Sequence, residues 1–218
     1  MQPDFWLERW RAGQTAFHQS AVDRLLERYW RELSIADDSR VFVPLCGKSL
    51  DLLWLRDRGH SVAGVELSAV ALEAFCMQNG IPAKRRTIAA FDVYETLRLQ
   101  LFCGDFFALS PALLGRIAAV YDRAALSSWA PELRTAYADH LTSLTVPGAQ
   151  MLLVALEYPQ AQMSGPPFCI DAGDVQTLYG RRFTIRELAR QDILADEPRL
   201  RSRGATALHE VCYALTRV

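Results

Sequence analysis

The chain has 218 residues, with 24 Lys and Arg against 25 Asp and Glu, and half of its residues are apolar. This balance excludes a disordered or fibrous chain and lacks the basic footprint of a dedicated nucleic-acid binder. No stretch approaches the roughly 20 apolar residues of a bilayer span, and the N-terminus carries no signal-peptide pattern, so the expectation is a cytoplasmic protein with no membrane partner. Cys46, Cys76, Cys103, Cys169 and Cys212 are scattered without a C-x-x-C pair, which implies neither a disulfide framework nor a zinc cluster. The length suits one α/β domain over residues 1–218, expected to be a monomer with a small-molecule partner.

In chain order, the first 34 residues predict a helical prefix. Trp6 and Trp10 lie four apart on one face, Gly13 to Gln19 reads as a loop, and a second helix is expected from Ser20. There Val22, Leu25, Leu26, Tyr29, Trp30 and Leu33 keep helical spacing, and Ser20 with Asp23 has the spacing of a capping box. From Arg40 short apolar runs alternate with helical segments. Strands are expected at Val41 to Leu45, Ser61 to Glu66, Leu99 to Cys103, Ala118 to Asp122 and Gln150 to Leu156. Helices are expected from Lys48 to Arg58, from Ser68 to Gly80, after Ser110 and Pro111, and from Pro131 to Leu144. Arg182 to Asp192 and Ala207 to Arg217 read as an antiparallel pair at one edge. The sum is a doubly wound α/β sheet of about seven strands, mostly parallel with an antiparallel edge strand. Tyr158 to Phe168, with Pro159, Gly165, Pro166 and Pro167, reads as a functional loop.

In such a sheet ligands bind beyond the carboxyl ends of the strands. The first end reads Val-Pro-Leu-Cys-Gly-Lys-Ser at 43–49. Its Gly-Lys-Ser resembles the tail of a P-loop, but Phe42 stands where that loop needs glycine. The dinucleotide pattern G-x-G-x-x-G is also missing, which weakens the case for a nicotinamide or flavin cofactor. Glu66 ends the second strand 21 residues beyond Leu45, a position suited to accept hydrogen bonds from both ribose hydroxyls; the plainer reading is an exposed strand-end carboxylate. Asp105 and Phe106 follow the third strand, where a carboxylate can accept from an adenine amino group and an aromatic ring can cover the base. Asp122 and Arg123 end the fourth, either as charges beside the cleft or as a structural ion pair. One glycine in the turn with acids on two strand ends points to an adenosine cofactor without phosphates, a description that S-adenosylmethionine meets.

The chain resembles the thiopurine S-methyltransferase family in its bacterial form, within the class I S-adenosylmethionine-dependent methyltransferases. The residues that carry the resemblance are Trp10 with Thr15-Ala16-Phe17-His18-Gln19, Val43-Pro44-Leu45-Cys46-Gly47-Lys48, Gly64-Val65-Glu66-Leu67-Ser68, Asp122-Arg123-Ala124-Ala125-Leu126 and Gly165-Pro166-Pro167-Phe168. The resemblance implies a Rossmann-like fold with residues 1–34 as a helical cover. It implies S-adenosylmethionine binding by Trp10, Leu45, Glu66 and Arg123, with Asp105 and Phe106 at the adenine. On the acceptor side it implies Phe17, Arg123 and Arg199; Arg201 and Arg203 lie close enough that any of the three arginines could be the one that reaches inward. The reaction implied is in-line methyl transfer to an aromatic or heterocyclic thiol, with a thioether and S-adenosylhomocysteine as products.

No general base is nominated. His18 adjoins Phe17 and could accept a proton, although a histidine hydrogen-bonded within the prefix is the plainer reading. Cys46 reads as a buried small thiol. Three other functions stay open: methylation of selenium or tellurium species by the same site, a nicotinamide-dependent oxidoreductase, and a non-catalytic adenosine-binding module.

Overall fold

In a computed structural model that describes residues 3–218, one sheet gathers every strand among those residues. In chain order the elements are α1 (Pro3–Arg11), α2 (Arg24–Tyr29), β1 (Arg40–Val43), α3 (Asp51–Asp57), β2 (Ser61–Glu66), α4 (Ala69–Gln78), β3 (Lys84–Ile88), β4 (Phe91–Thr96) and β5 (Leu99–Cys103). They continue with α5 (Pro111–Leu114), β6 (Ile117–Arg123), α6 (Pro131–Ser143), β7 (Thr145–Glu157), α7 (Ala172–Tyr179), β8 (Phe183–Asp192), α8 (Pro198–Ser202) and β9 (His209–Arg217). The strand order is β3-β4-β5-β2-β1-β6-β7-β9-β8. The strands β5-β2-β1-β6-β7 are parallel, and antiparallel pairs flank them on both sides.

The sheet therefore has nine strands rather than about seven. The two that the pattern missed are β3 and β4, a hairpin. β3 reads Lys-Arg-Arg-Thr-Ile and is exposed along its first four residues, so it carries no alternation of apolar and polar positions. The C-terminal antiparallel pair forms as expected, but its inner member β9 lies between β7 and β8, and β8 is the edge. The second helix starts at Arg24 rather than at Ser20. Asp23 is its cap, accepting from the N–H groups of Leu25 at 2.9 Å and Leu26 at 3.1 Å, so one side chain satisfies two otherwise unpaired donors.

Strand alternation divides the core between the two faces. Val41, Val43 and Val62 pack with Leu25, Leu26 and Trp30 near α2, Leu52 and Leu55 of α3, and Leu72 and Phe75 of α4. Phe42, Ala63 and Val120 face the other way, onto Tyr137 of α6 and Val175 and Tyr179 of α7. Each large side chain so buried contributes about 1.5–3 kcal/mol, which holds the strand ends as a rigid platform. A smaller cluster, including Tyr158, Met163, Ile193, Leu200 and Leu208, sits under the segment after β7. No helix among the described residues is long and apolar enough to cross a membrane.

Candidate functional site

The sheet changes winding direction between β1 and β6, the place where an open α/β sheet forms its ligand crevice. Register then selects the residues. Phe42 is level with Ala63 of β2 and with Val120 of β6, so three residues further on the same row carries Leu45, Glu66 and Arg123. Glu66 is in turn level with Cys103 of β5, two residues before Asp105.

On the β1–β2 side the backbone does most of the work. The turn after β1 is tied to β2 by a hydrogen bond from Cys46 N–H to the Val65 carbonyl at 2.9 Å. Leu45 has φ +45°, a left-handed conformation that costs a non-glycine residue about 1–3 kcal/mol and persists where the surroundings impose it. Gly47 follows at φ +53°, and a Cβ there would lie 3.2 Å from the Trp10 ring. Trp10, 6% exposed, thus lies against the bare backbone of the turn. Gly64 has a packing reason of its own: a Cβ would meet Cys46 Sγ at 2.8 Å. Burial, and then the Glu66 charge, push the Cys46 thiol well up, so it stays protonated and serves as packing.

Glu66 is the polar centre of this half. It is 6% exposed, with Oε2 accepting from Gly47 N–H at 3.0 Å and Oε1 from Ser68 N–H at 2.8 Å. Burial raises its pKa to about 7, against hydrogen bonds from Ser68, Gly47 and Leu67 that favour the anion. Each oxygen keeps further acceptor capacity, so the carboxylate can meet a pair of neighbouring hydroxyls. It is not an exposed strand-end residue.

Beyond β5 the structure separates two residues that the sequence placed together. Asp105 is exposed and caps a short turn by accepting from Phe107 N–H at 3.0 Å. Phe106, 2% exposed, packs between Phe42 and Tyr137, so its ring is a core group and cannot cover a base. The half-exposed ring is that of Phe107, against Trp129 and His140.

On the β6 side long-range side-chain pairs take over. Strand alternation sends Asp122 and Arg123 to opposite faces, and they do not pair. Asp122 is fully buried and accepts from Tyr137 Oη–H at 2.7 Å and Leu126 N–H at 3.1 Å; burial raises its pKa to about 6. Arg123 donates through Nε to Asp23 Oδ2 at 3.0 Å. Burial opposes its charge, but Tyr121, Asp23, Asp51 and Glu210 outweigh burial and hold the guanidinium more basic than usual. Asp51 Oδ1 accepts from Asp23 N–H at 2.8 Å, and Arg24 reaches Glu210 at 3.4 Å. Asp23, Asp51 and Glu210 belong to no site motif in the sequence. The only sequence signal among them was the cap spacing of Asp23.

The loop from α1 to α2 closes over this side. Phe17, 39% exposed, stands edge-on to Trp6 and Trp10 with ring centroids 5.5 and 5.4 Å away. All three C-terminal arginines are exposed; Arg199 donates to the Ala16 carbonyl and Arg203 to the Pro166 carbonyl at 2.9 Å, whereas the Arg201 side chain makes no hydrogen bond to a described residue. The segment after β7 returns to the crevice through Phe168 N–H to the Ser127 carbonyl at 2.8 Å. Arg134, 4% exposed, clamps the chain just beyond by donating to the carbonyls of Cys169 and Trp129 and to Asp174. A cavity of about 500 Å³ opens between His18, Asp23, Arg24, Ile193, Asp196 and Glu210. Among the described residues no group of His, Cys, Asp and Glu could hold a metal ion.

The chain is similar along its length to known proteins. The chain is 46% identical to a thiopurine S-methyltransferase of Nitrosospira multiformis, over 99% of this chain and 98% of that one. It is 45% identical to a thiopurine S-methyltransferase of Pseudomonas fluorescens, over 99% of each. The fold matches that of a SAM-dependent methyltransferase from Anabaena variabilis with a TM-score of 0.70 at 15% identity, over 99% of this chain and 95% of that one. The family pattern of the thiopurine S-methyltransferases runs from residue 1 to residue 218, and the chain belongs to that family.

Proposed function

We propose that this protein moves a methyl group from S-adenosylmethionine to the sulfur of small aromatic or heterocyclic thiols, thiopurines among them. The observation that carries the proposal is Glu66: a buried carboxylate at the switch point, held by Gly47 and Ser68 N–H groups, beside a turn left bare by glycine. Those residues suit an adenosine without phosphates. The two ribose hydroxyls would donate to Glu66, and the anion would gain the partners its burial denies it. Leu45 and Trp10 would hold the methionine arm, the indole face lying toward the sulfonium. Asp105 would meet the adenine amino group, with Phe107 rather than Phe106 supplying the aromatic face. One sheet spanning β1 to β9 supports a single domain over residues 1–218.

When bound, S-adenosylmethionine supplies a methyl group that is already electrophilic. The chain's residues therefore have to align sulfur with methyl and exclude water, effects worth several kcal/mol. Arg123, fixed by Asp23, presents a permanent positive charge to an acceptor developing or carrying thiolate character. Phe17, packed on Trp10, and α1 act as the cover, and Arg199 holds that cover through Ala16 while lying near the acceptor.

Calorimetric titration with S-adenosylmethionine and with NADH, followed by mass spectrometry of a thiopurine reaction, tests the proposal. Binding of S-adenosylmethionine alone and an S-methyl product are expected. Binding of NADH, or tight S-adenosylmethionine binding without turnover of any thiol, would defeat it.

A further inference from the structure

His18 lies in the loop between α1 and α2, its backbone N–H donating to the Thr15 carbonyl at 2.8 Å. Its ring is half-buried and makes no hydrogen bond to a described residue, so both nitrogens are open to a ligand. It lines the 500 Å³ cavity with Asp23 and Arg24 of its own segment, Asp196 before α8, and Glu210 of β9. Asp23, which lines the same cavity and binds Arg123 at the end of β6, connects the surroundings of His18 to the crevice. The neighbouring Phe17 packs on Trp10, which lies against Gly47. Lys48, next to Gly47, and Arg123 are near enough for their charges to act on His18.

Of the other groups able to take a proton here, Asp196 is exposed to solvent and the rest are engaged. Asp23 uses Oδ1 to cap α2 and Oδ2 to bind Arg123, Asp51 is buried against Asp23 N–H, and Glu210 is paired with Arg24. Burial, then the charges of Lys48 and Arg123, hold the His18 pKa below its ordinary value. The ring is then neutral at neutral pH, the form that accepts a proton.

We propose that His18 is the general base that takes the proton from a neutral thiol acceptor as its sulfur attacks the methyl group. This inference rests on the thiol reading above. The S–H bond breaks with its electron pair left on sulfur, and the proton goes to an imidazole nitrogen. A sulfur lone pair forms the new S–C bond while the methyl–sulfonium bond breaks, its pair returning to the donor sulfur. The products are a thioether, S-adenosylhomocysteine and an imidazolium, which returns its proton to water through the cavity. Lys48 and Arg123 speed that return because they disfavour the charged ring.

A thiol already ionised in solution has no proton to give, so paired acceptors isolate the step. His18→Gln and His18→Ala are assayed at neutral pH with an electron-poor aryl thiol that is fully ionised and with an electron-rich thiol that is not. The expected loss in kcat is about 10²-fold or more for the neutral thiol and within about threefold for the ionised one. At saturating cofactor, the acid limb of the wild-type kcat profile with the neutral thiol should follow ionisation of the ring, and in both variants it should be replaced by a rise that follows ionisation of the thiol itself. Independently of turnover, calorimetry should show S-adenosylmethionine affinity unchanged in both variants. Equal losses with both acceptors, a loss of cofactor affinity that accounts for the effect, or the selective loss arising in Glu210→Gln or Asp196→Asn instead would overturn the assignment. Wild-type inactivity on both thiols would overturn the thiol reading itself, and the base with it.

Discussion

On the β1–β2 side of the crevice, Glu66 is held by backbone N–H groups of Gly47 and Ser68, 19 and 2 residues away in sequence. On the β6–β9 side, Arg123 is held by Asp23 across 100 residues, Glu210 by Arg24 across 186, and Arg199 reaches Ala16 across 183. The first half is built chiefly from short turns on a rigid sheet, to which α1 adds Trp10. The second is built from pairs that reach across the chain. The proposed cofactor pocket and the proposed acceptor pocket thus differ in what can perturb them, and substitutions should separate the two.

The largest effect is expected at Asp23. Asp23→Ala removes the α2 cap, leaves Arg123 without its partner, and should lower unfolding stability by about 3 kcal/mol in denaturant titration. The folded fraction should still bind S-adenosylmethionine within a few-fold of wild type. A comparable loss of cofactor affinity would mean that the two halves are not separate. Next comes Glu66→Ala, for which calorimetry should show S-adenosylmethionine affinity down by about 10²-fold, the worth of two hydrogen bonds to a charged group. An affinity equal to wild type would remove Glu66 from the ribose role.

The pH dependence sharpens the same contrast. The folded-state pKa values of Glu66 and Asp122 are raised by burial, to about 7 and about 6, above ordinary values of 4.5 and 3.8. Groups shifted upward favour the folded state at acid pH, and that contribution is lost as pH rises through the raised values. The free protein should therefore lose stability between about pH 4 and pH 7 from these two groups. Cofactor affinity should change in the opposite sense, weakening as pH falls below about 7, because ribose hydroxyls donate to the carboxylate. Glu66→Gln should flatten the affinity curve in titrations and leave only the Asp122 part of the stability curve, below about pH 6, in thermal melts, and curves unchanged by the substitution would contradict the assignment. The smallest effect is expected at exposed Arg199. Arg199→Ala should raise the acceptor KM by no more than about fivefold and leave cofactor affinity unchanged; the reverse split would move Arg199 to the cofactor side.

The same contrast explains what could be read from the sequence. The parallel strands, the turn at 43–49 and Glu66 were legible because buried strands leave apolar runs and the turn sits at a set distance from the acid. The β3–β4 hairpin was not, since Lys84, Arg85 and Arg86 face solvent and no Asn-Gly or Asp-Gly pair marks the turn. Strand periodicity stops at Cys103, so nothing in the sequence showed that Phe106 turns inward and Phe107 outward. Asp51 and Glu210 were hidden for a different reason. Their meaning comes from partners distant in sequence, and no local spacing records those partners.

The proposed function stands or falls most directly on where the methyl group goes. The protein should be incubated with a thiopurine and S-adenosylmethionine labelled at the methyl carbon, and the product examined by mass spectrometry and NMR. The expected result is label on sulfur in wild type, with the rate at subsaturating cofactor falling about 10²-fold in Glu66→Ala. Label on a ring nitrogen, or a rate in Glu66→Ala equal to wild type, would contradict it.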